Sequence, residues 1–566
     1  MYQQVLDPLF GSLGWSAFAA SLPLLVLFAL LGVARMTAWK ASLIALVVAV
    51  LVSVLVYPMP VDQALLSGTL GAAFGFFPIL WIVINALWIY NMTVATGHFD
   101  VLQRSFSRVS GDRRIQAVII AFCFGALLEA LAGFGTPVAI TTVMLLALGF
   151  RPITSAVVAL VANTAPVAYG ALASPLVTLA SVTGLPLADL GAVTGRQTPL
   201  LAIIVPMVLV GILDGMRGVR QTLPATLLCG ISFSVTQFVA SNYISVPLTD
   251  ILAALVAAGA TVLLMRVWTP AGASGSSAVE GTSDDAAISG AAATSGTAVT
   301  SGSDADNAGS AGAVTAPTSD GRAEVLRAYA PYLIIIAVFV VAQIPLIDDL
   351  LDAGTLKFGW PGLNVRDASG EALSLTQFKF DWSSNAGSPL LLSGLLSAPA
   401  VGIRARTALN RYLGTYVQLK WPIVTVMSVL AIAYVMNTSG QTATLGTAMA
   451  GVGGIFALIS PILGWLGVAV TGSDTSANSL FGALQLTAAD KAGVDGLLAA
   501  AANGSGGVLG KMISPQNLAI AAGAVGMTGR EGDIFRRVLP WSLGFLALMC
   551  VLVYLQSTPL LSWMLL

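Results

Sequence analysis

Asn163-Thr-Ala-Pro-Val-Ala-Tyr-Gly-Ala-Leu-Ala-Ser-Pro175 and Asn503-Gly-Ser-Gly-Gly-Val-Leu-Gly-Lys-Met-Ile-Ser-Pro515 share one spacing, N-x6-G-x3-S-P. Both stretches interrupt apolar runs with helix breakers, which free backbone N–H and C=O groups. Hydrocarbon tolerates such groups only where protein or a water-filled cavity satisfies them. Upstream of each lies an acid among small residues: Glu129 before Gly133-Phe-Gly-Thr-Pro137, and Asp474 before Thr475-Ser-Ala-Asn478. The order acid, tip, broken helix therefore occurs twice, which marks an internal repeat.

Around these stretches the chain is built for lipid. Of its 566 residues 57% are hydrophobic and 9% charged, with a mean hydropathy of +0.88, whereas soluble domains carry about 25% charged residues. Runs such as Ala17 to Ala34, Ser42 to Tyr57, Leu223 to Tyr243 and Trp541 to Leu555 suffice to cross about 30 Å of hydrocarbon. The first run has no basic residue before it and no small-residue cleavage site after it, so it is expected as a retained span. A net charge of −1 leaves no basic face for nucleic acid. Cys123, Cys229 and Cys550 stand singly, without the C-x-x-C pattern of a metal site or a disulfide framework. The stretch Asn503 to Ser514 imitates a phosphate loop, but Ser505 and Met512 stand where that loop needs Gly and Ser or Thr, so no nucleotide is expected. His98 is the only histidine, and neither a zincin motif nor a G-x-S-x-G elbow accompanies it; an enzyme is not expected, nor a cofactor or metal.

Charge distribution sets the expected topology. Residues 271–322, rich in Gly, Ala, Ser and Thr, read as a flexible linker between an N-terminal half (1–270) and a C-terminal half (323–566). Short cytoplasmic loops carry excess Lys and Arg. The loop with Arg104, Arg108, Arg113 and Arg114 is therefore placed inside, as are Arg35/Lys40, Arg217/Arg220, Arg404 to Lys420, Arg530 to Arg537 and the linker. Loops around Asp62, Gly184 to Gly195, Tyr243 to Asp250, Asp348 to Trp382 and Thr438 to Thr447 face outward, with both termini. The repeat blocks, 115–183 and 448–527, are then entered from opposite sides. Ile115 to Leu131 and Gly133 to Gly149, at about 17 residues each, are short for full spans and read as a re-entrant hairpin. The expected fold is an all-α polytopic membrane protein of about 12 spans, with two re-entrant hairpins and two interrupted helices in inverted repeats. The interruptions are placed at Pro166 and Gly506.

Half-helix N-termini offer partial positive charge and free N–H donors to an anion. The substrate candidates are Asn163, Thr164, Gly133, Gly135, Ser473, Thr475, Asn478, Asn503, Lys511 and Ser514. Asn163 and Asn503 either grip the anion or cap the broken helices. An ionised carboxylate in such surroundings costs about 3 kcal/mol, so Glu129 and Asp474 are expected to be paired, protonated or watered. That suits a proton relay, a hydrogen bond to a hairpin tip, or, for Asp474 in its donor-rich loop, a Na⁺ site. Lys511 pairs with Asp474 or faces the substrate.

Taken together, Phe122-Cys-Phe-Gly-Ala126, Glu129, Ala132-Gly-Phe-Gly135, Pro137-Val-Ala-Ile140, Asn163-Thr-Ala-Pro-Val-Ala168, Gly195-Arg-Gln197, Phe378-Lys-Phe-Asp-Trp382, Gly472-Ser-Asp-Thr-Ser476, Asn478 and Gly510-Lys-Met-Ile-Ser-Pro-Gln516 resemble the bacterial lactate permease family over nearly the whole chain. Leu131, Thr136, Asn503-Gly-Ser-Gly506 and the linker depart from its pattern. The resemblance implies the cytoplasmic membrane and proton symport of a small 2-hydroxy monocarboxylate such as L-lactate, D-lactate or glycolate. The proton is then the coupling ion, and Lys379 and Asp381 form either an external gate or a loop ion pair. A Na⁺-coupled carboxylate carrier is the nearest alternative, and an anion channel and a membrane-bound enzyme are more remote. Oligomeric state leaves no mark in the sequence.

Overall fold

The structure, a computed structural model, describes residues 2–34, 36–107, 110–133, 135–270, 321–342, 344–528 and 530–565. All but the last two residues of the expected linker lie outside them, as do Arg35, Arg108 and Phe134. Ten described helices are long and apolar enough to cross a membrane, or 11 with the bent pair Pro152–Ala162 and Val167–Thr183. One of the ten, Leu187–Ile244, has 58 residues and would span about 87 Å if straight. It folds back at Gly215, whose φ of +66° a side chain would resist. Ser234 donates to the Pro199 carbonyl at 2.8 Å and Thr198 to Gln237 at 3.3 Å, so the two limbs run antiparallel.

Tracing contacts from limb to limb sorts the loops into two ends. At one end, Tyr2 and Gln3 pair with Val365 and Arg366, and Gln4 donates to the Asn437 carbonyl at 2.7 Å. Arg196 donates to the Met564 and Leu565 carbonyls at 2.9 Å, and Gly184, Pro247, Asp348 and Lys379 line a common cavity. Both described chain ends therefore lie at this terminal end. At the opposite, basic end, Arg114 bridges Asp112 and Asp214 at 2.7 and 2.8 Å, Ser105 and Tyr329 share a hydrogen bond of 3.0 Å, and Trp39 stacks on Trp421 at 4.4 Å. The basic-poor and basic-rich loops thus segregate as their charges led us to expect, and the chain makes about a dozen passages between them.

Two elements stop halfway. Arg113–Leu131 enters from the basic end and Thr136–Ala147 returns to it, where Arg113 donates to the Leu148 carbonyl. Phe456–Thr471 and Asp474–Ala492 form the other hairpin, turning at Gly472 with φ +76°. The latter helix packs its Gly482 on Leu179, Val182 and Thr183 on its way to the terminal end. The hairpins therefore enter from opposite ends, and so do the interrupted helices, which makes the repeats inverted. Pro152–Ala162 leads from the basic end to the first interruption and is bent by 62° against the segment that leaves it. Gly496–Gly510 leads from the terminal end to the second, and Pro515–Ala524 continues beside Thr136–Ala147.

The second interruption is not at Gly506. The helix runs unbroken through Gly510, and Gly506 lacks a side chain because the Pro461 backbone occupies that space. The chain departs at 511–514, where Ser514 adopts φ −64°, ψ 139°, since a residue before proline is pushed out of the helical region. In the first repeat the irregular backbone runs from Asn163 through Ala171, Leu172 and Ala173, all at positive φ, and ends at Ser174-Pro175. Pro166 lies within this first break, as expected, and the shared Ser-Pro pair marks where regular helix resumes in both repeats. Strands are few: besides Tyr2–Gln3 with Val365–Arg366, Leu356–Gly359 pairs antiparallel with Gln377–Phe380 in the loop at the terminal end.

Candidate functional site

The first hairpin tip meets both interruptions at Glu129. Its Oε1 accepts from Lys511 Nζ at 2.6 Å, a contact bridging 382 positions, and its Oε2 accepts from Asn163 Nδ2 at 2.9 Å. Glycine makes the room: a Cβ on Gly170 would lie 2.9 Å from Oε1, and one on Gly133 3.6 Å from it. Side chains of Glu129 and Lys511 are 4% and 8% exposed, so each would carry a penalty of several kcal/mol if charged and alone. Paired, they hold the two repeats together at one point.

The second tip is built differently. Asp474 Oδ2 accepts from Asn478 Nδ2 at a long 3.5 Å, and Oδ1 is buried without a partner. Gly507 has no Cβ because this carboxylate occupies the space. Asn478 reaches across to the Pro175 carbonyl at 3.1 Å. Asn503 donates to Asn478 at 2.8 Å and accepts from Gln485 at 2.9 Å, and Ser460 donates to Gln485 at 2.5 Å. This amide chain fixes the second hairpin against the second interrupted helix.

The sequence candidates divide accordingly. Glu129, Gly133, Asn163 and Lys511 converge, and so do Asp474, Asn478 and Asn503. Ser473 and Ser514 cap helices, accepting from the Ser476 and Asn517 amides at 3.3 and 3.4 Å. Thr164 donates back to the Val161 carbonyl at 2.7 Å, and the Thr475 carbonyl accepts from Ser479 at 2.8 Å. Gly135, at φ +85°, seats the first tip against Asn517 and Ile520. Asn503 caps nothing, since it lies inside Gly496–Gly510. Lys511 contacts Glu129 rather than Asp474, which it reaches only through its field; with the interruption moved to 511–514, it leaves the helix beside the first tip. Lys379 and Asp381, 3.2 Å apart, line a cavity of about 600 Å³ at the terminal end with Asp348, Asp352 and Asn385. A gap of about 10 Å³ remains among Thr164, Thr198, Val508 and Phe545, room for about one water at most.

Asp250 escaped the sequence reading. It is fully buried, accepts from Gln237 at 3.3 Å through Oδ1, and leaves Oδ2 unpartnered. Its only signal was an acid beside an apolar run, and such an acid reads as a loop marker. Among the described residues no group of three or more His, Cys, Asp and Glu is placed to hold a metal ion.

Inverted repeats of membrane-crossing helices that meet at a buried ion pair define a multi-pass membrane transporter. The chain belongs to the L-lactate permease family, whose pattern matches residues 16–560. It is 39% identical over 559 residues to the glycolate permease GlcA of Escherichia coli K12, covering 97% of this chain and 96% of that one. It is 38% identical over 590 residues to an L-lactate permease of Bacillus subtilis 168, covering 100% and 99%. These relatives are permeases, and the chain is a transporter rather than an enzyme. Among solved structures, the YdaH transporter of Alcanivorax borkumensis matches 86% of this chain and 99% of its own at 15% identity, with a TM-score of 0.33.

Proposed function

We propose that the protein imports a small 2-hydroxy monocarboxylate, L-lactate with D-lactate or glycolate as close alternatives, together with a proton. The names of its relatives support the substrate class. The positive-inside rule, applied to the two ends, supports a cytoplasmic-membrane protein with its basic end inside and both termini outside. Lys379 and Asp381 then guard the outer vestibule.

One observation carries the coupling: the only buried ammonium at the described centre, Lys511, already holds a carboxylate, Glu129, at 2.6 Å. The substrate's carboxylate, ionised at neutral pH, competes for that ammonium. Protonation removes the charge of Glu129 and releases Lys511 to the substrate, so each binding event favours the other. Asn163 Oδ1, buried without a partner, accepts the 2-hydroxyl. One anion and one proton cross without net charge, and a pH difference of one unit is worth about 1.4 kcal/mol, or about tenfold accumulation. Glu129→Gln fixes the released state. It abolishes accumulation driven by a pH gradient while preserving exchange of labelled lactate in proteoliposomes, and pH-driven accumulation equal to wild type refutes the mechanism.

Asp474, with one oxygen unpartnered in a loop of hydroxyls and amides, supports a second reading in which Na⁺ is the coupling ion. Loss of uptake when Na⁺ is replaced by choline selects it.

A further inference from the structure

Asp250 opens the helix Thr249–Val267, one turn after Pro247, which lines the terminal-end cavity. Its side chain is fully buried, yet Oδ2 has no partner. Gln237 donates to Asp250 Oδ1 and to the Ala165 carbonyl, both at 3.3 Å, so one amide ties this carboxyl to the first interruption. Asn163, two residues before Ala165, holds Glu129. Toward the terminal end, Thr194 Oγ1 and Ser245 Oγ are likewise buried without partners. They lie on segments that meet, since Gly191 packs on Val246 and Gly195 on Ser241 and the Tyr169 hydroxyl. Unsatisfied buried polar atoms are costly, and these two hydroxyls stand on segments packed beside Asp250, where a proton path needs groups free to exchange hydrogen bonds.

The helix of Asp250 packs against Val205–Val239, Gly125–Ala132, 119–124 and Gly170–Thr183. From those elements and the interruptions beside them, the charged groups acting on Asp250 are Glu129 and Lys511, and the neighbouring titratable group is Tyr169. The Tyr169 hydroxyl is engaged with the Gly191 carbonyl at 2.7 Å. Lys511 is the nearest cation in the described centre and is already bound to Glu129. Asp250 therefore has an amide but no positive partner, the setting in which an intramembrane carboxyl takes up and gives back a proton.

We propose that Asp250 is a second protonatable carboxyl, through which protons pass between the terminal-end vestibule and Glu129. A proton leaves hydronium in the vestibule and joins the Asp250 carboxylate. It then crosses through an intervening water to the Glu129 carboxylate as that group parts from Lys511, and Asp250 is left ionised. Only O–H bonds form and break. This assignment rests on the proton-coupled reading above.

Reconstituted Asp250→Asn separates the possibilities. The expected result is exchange of labelled lactate within about twofold of wild type, with uptake driven by a pH gradient slowed about a hundredfold, the low end of what a positioned proton-transfer group contributes. Asp250→Glu recovers part of the driven rate. Driven uptake within about twofold of wild type in Asp250→Asn overturns the assignment, and so does an equal loss of exchange, because a merely structural role affects both. On the native protein, dicyclohexylcarbodiimide, which attacks protonated carboxyls in apolar surroundings, modifies Asp250 more at about pH 6 than at about pH 8; modification that ignores pH overturns the proposal without any variant. A wild-type protein that ignores the pH gradient sinks the coupling reading itself.

Discussion

The two hairpin tips follow one plan and carry different chemistry. Each brings a carboxylate to mid-depth beside a helix interrupted before Ser-Pro. Glu129 lies between Lys511 and Asn163 at 2.6 and 2.9 Å, whereas Asp474 has a single 3.5 Å contact with Asn478 and an unpartnered oxygen. The repeats place the two acids at corresponding positions, and one lysine from the second repeat, turned toward the first, makes them inequivalent. Near the described centre three buried acids, Glu129, Asp250 and Asp474, face one buried cation. All three ionised would leave an excess of buried negative charge, which is costly in apolar surroundings.

The largest effect is expected from removing that lysine. Lys511→Met strands Glu129, at a cost of about 3–5 kcal/mol if the acid stays ionised, and uptake falls below detection. The double variant Lys511→Met with Glu129→Gln recovers most of the lost thermal stability in detergent but not transport. Equal melting temperatures for the single and double variants break the comparison, because they mean Glu129 never depended on Lys511.

A pair of glycine variants sharpens the contrast between the tips. Gly170→Ala drives a methyl to within 2.9 Å of Glu129 Oε1, and overpacking of this kind costs about 1–3 kcal/mol; initial uptake drops about tenfold. Gly504→Ala, at the Asp474 tip, meets nothing nearer than 3.6 Å and stays within about twofold of wild type. Similar losses in both variants show that the tips are equally crowded.

Gln485→Leu opens the amide chain and leaves Asn503 Oδ1 short of a donor, for about 1–3 kcal/mol of stability, read as a lower melting temperature with the substrate affinity retained. The smallest effect is expected at Lys379→Ala. Its pair with Asp381 is half-exposed, such pairs contribute about 0–1 kcal/mol, and uptake changes by no more than about twofold. A larger loss makes the vestibule part of the rate-limiting path.

Hairpins, inverted order and the segregation of loops were legible because each has a local cause. Gly-rich tips stop a helix, a short apolar limb cannot cross hydrocarbon, and arginines collect at one end. The second interruption was misplaced because Gly506 looks like a breaker in the sequence, whereas in the fold it lets the Pro461 backbone approach. The small strands of 356–380 went unread because their alternation is short and interrupted by Gly and Pro. The partner of Lys511 was unreadable, since nothing local links residues 382 positions apart. Asp250 was passed over for the same reason: its burial depends on three other segments.

By itself the sequence determined that the chain lives in a bilayer, crosses it about a dozen times, repeats one module in opposite senses and places acids at both tips. Periodicity, apolar length and breaker residues act over a few turns of helix, and the chain carries them whether folded or not. Which acid received the cation, which amides closed on one another and which carboxyl was left with an empty-handed oxygen were decided only by the tertiary structure. Desolvation and ion pairing depend on what arrives within a few ångströms, and in this chain those neighbours come from distant segments, for Glu129 from the other half.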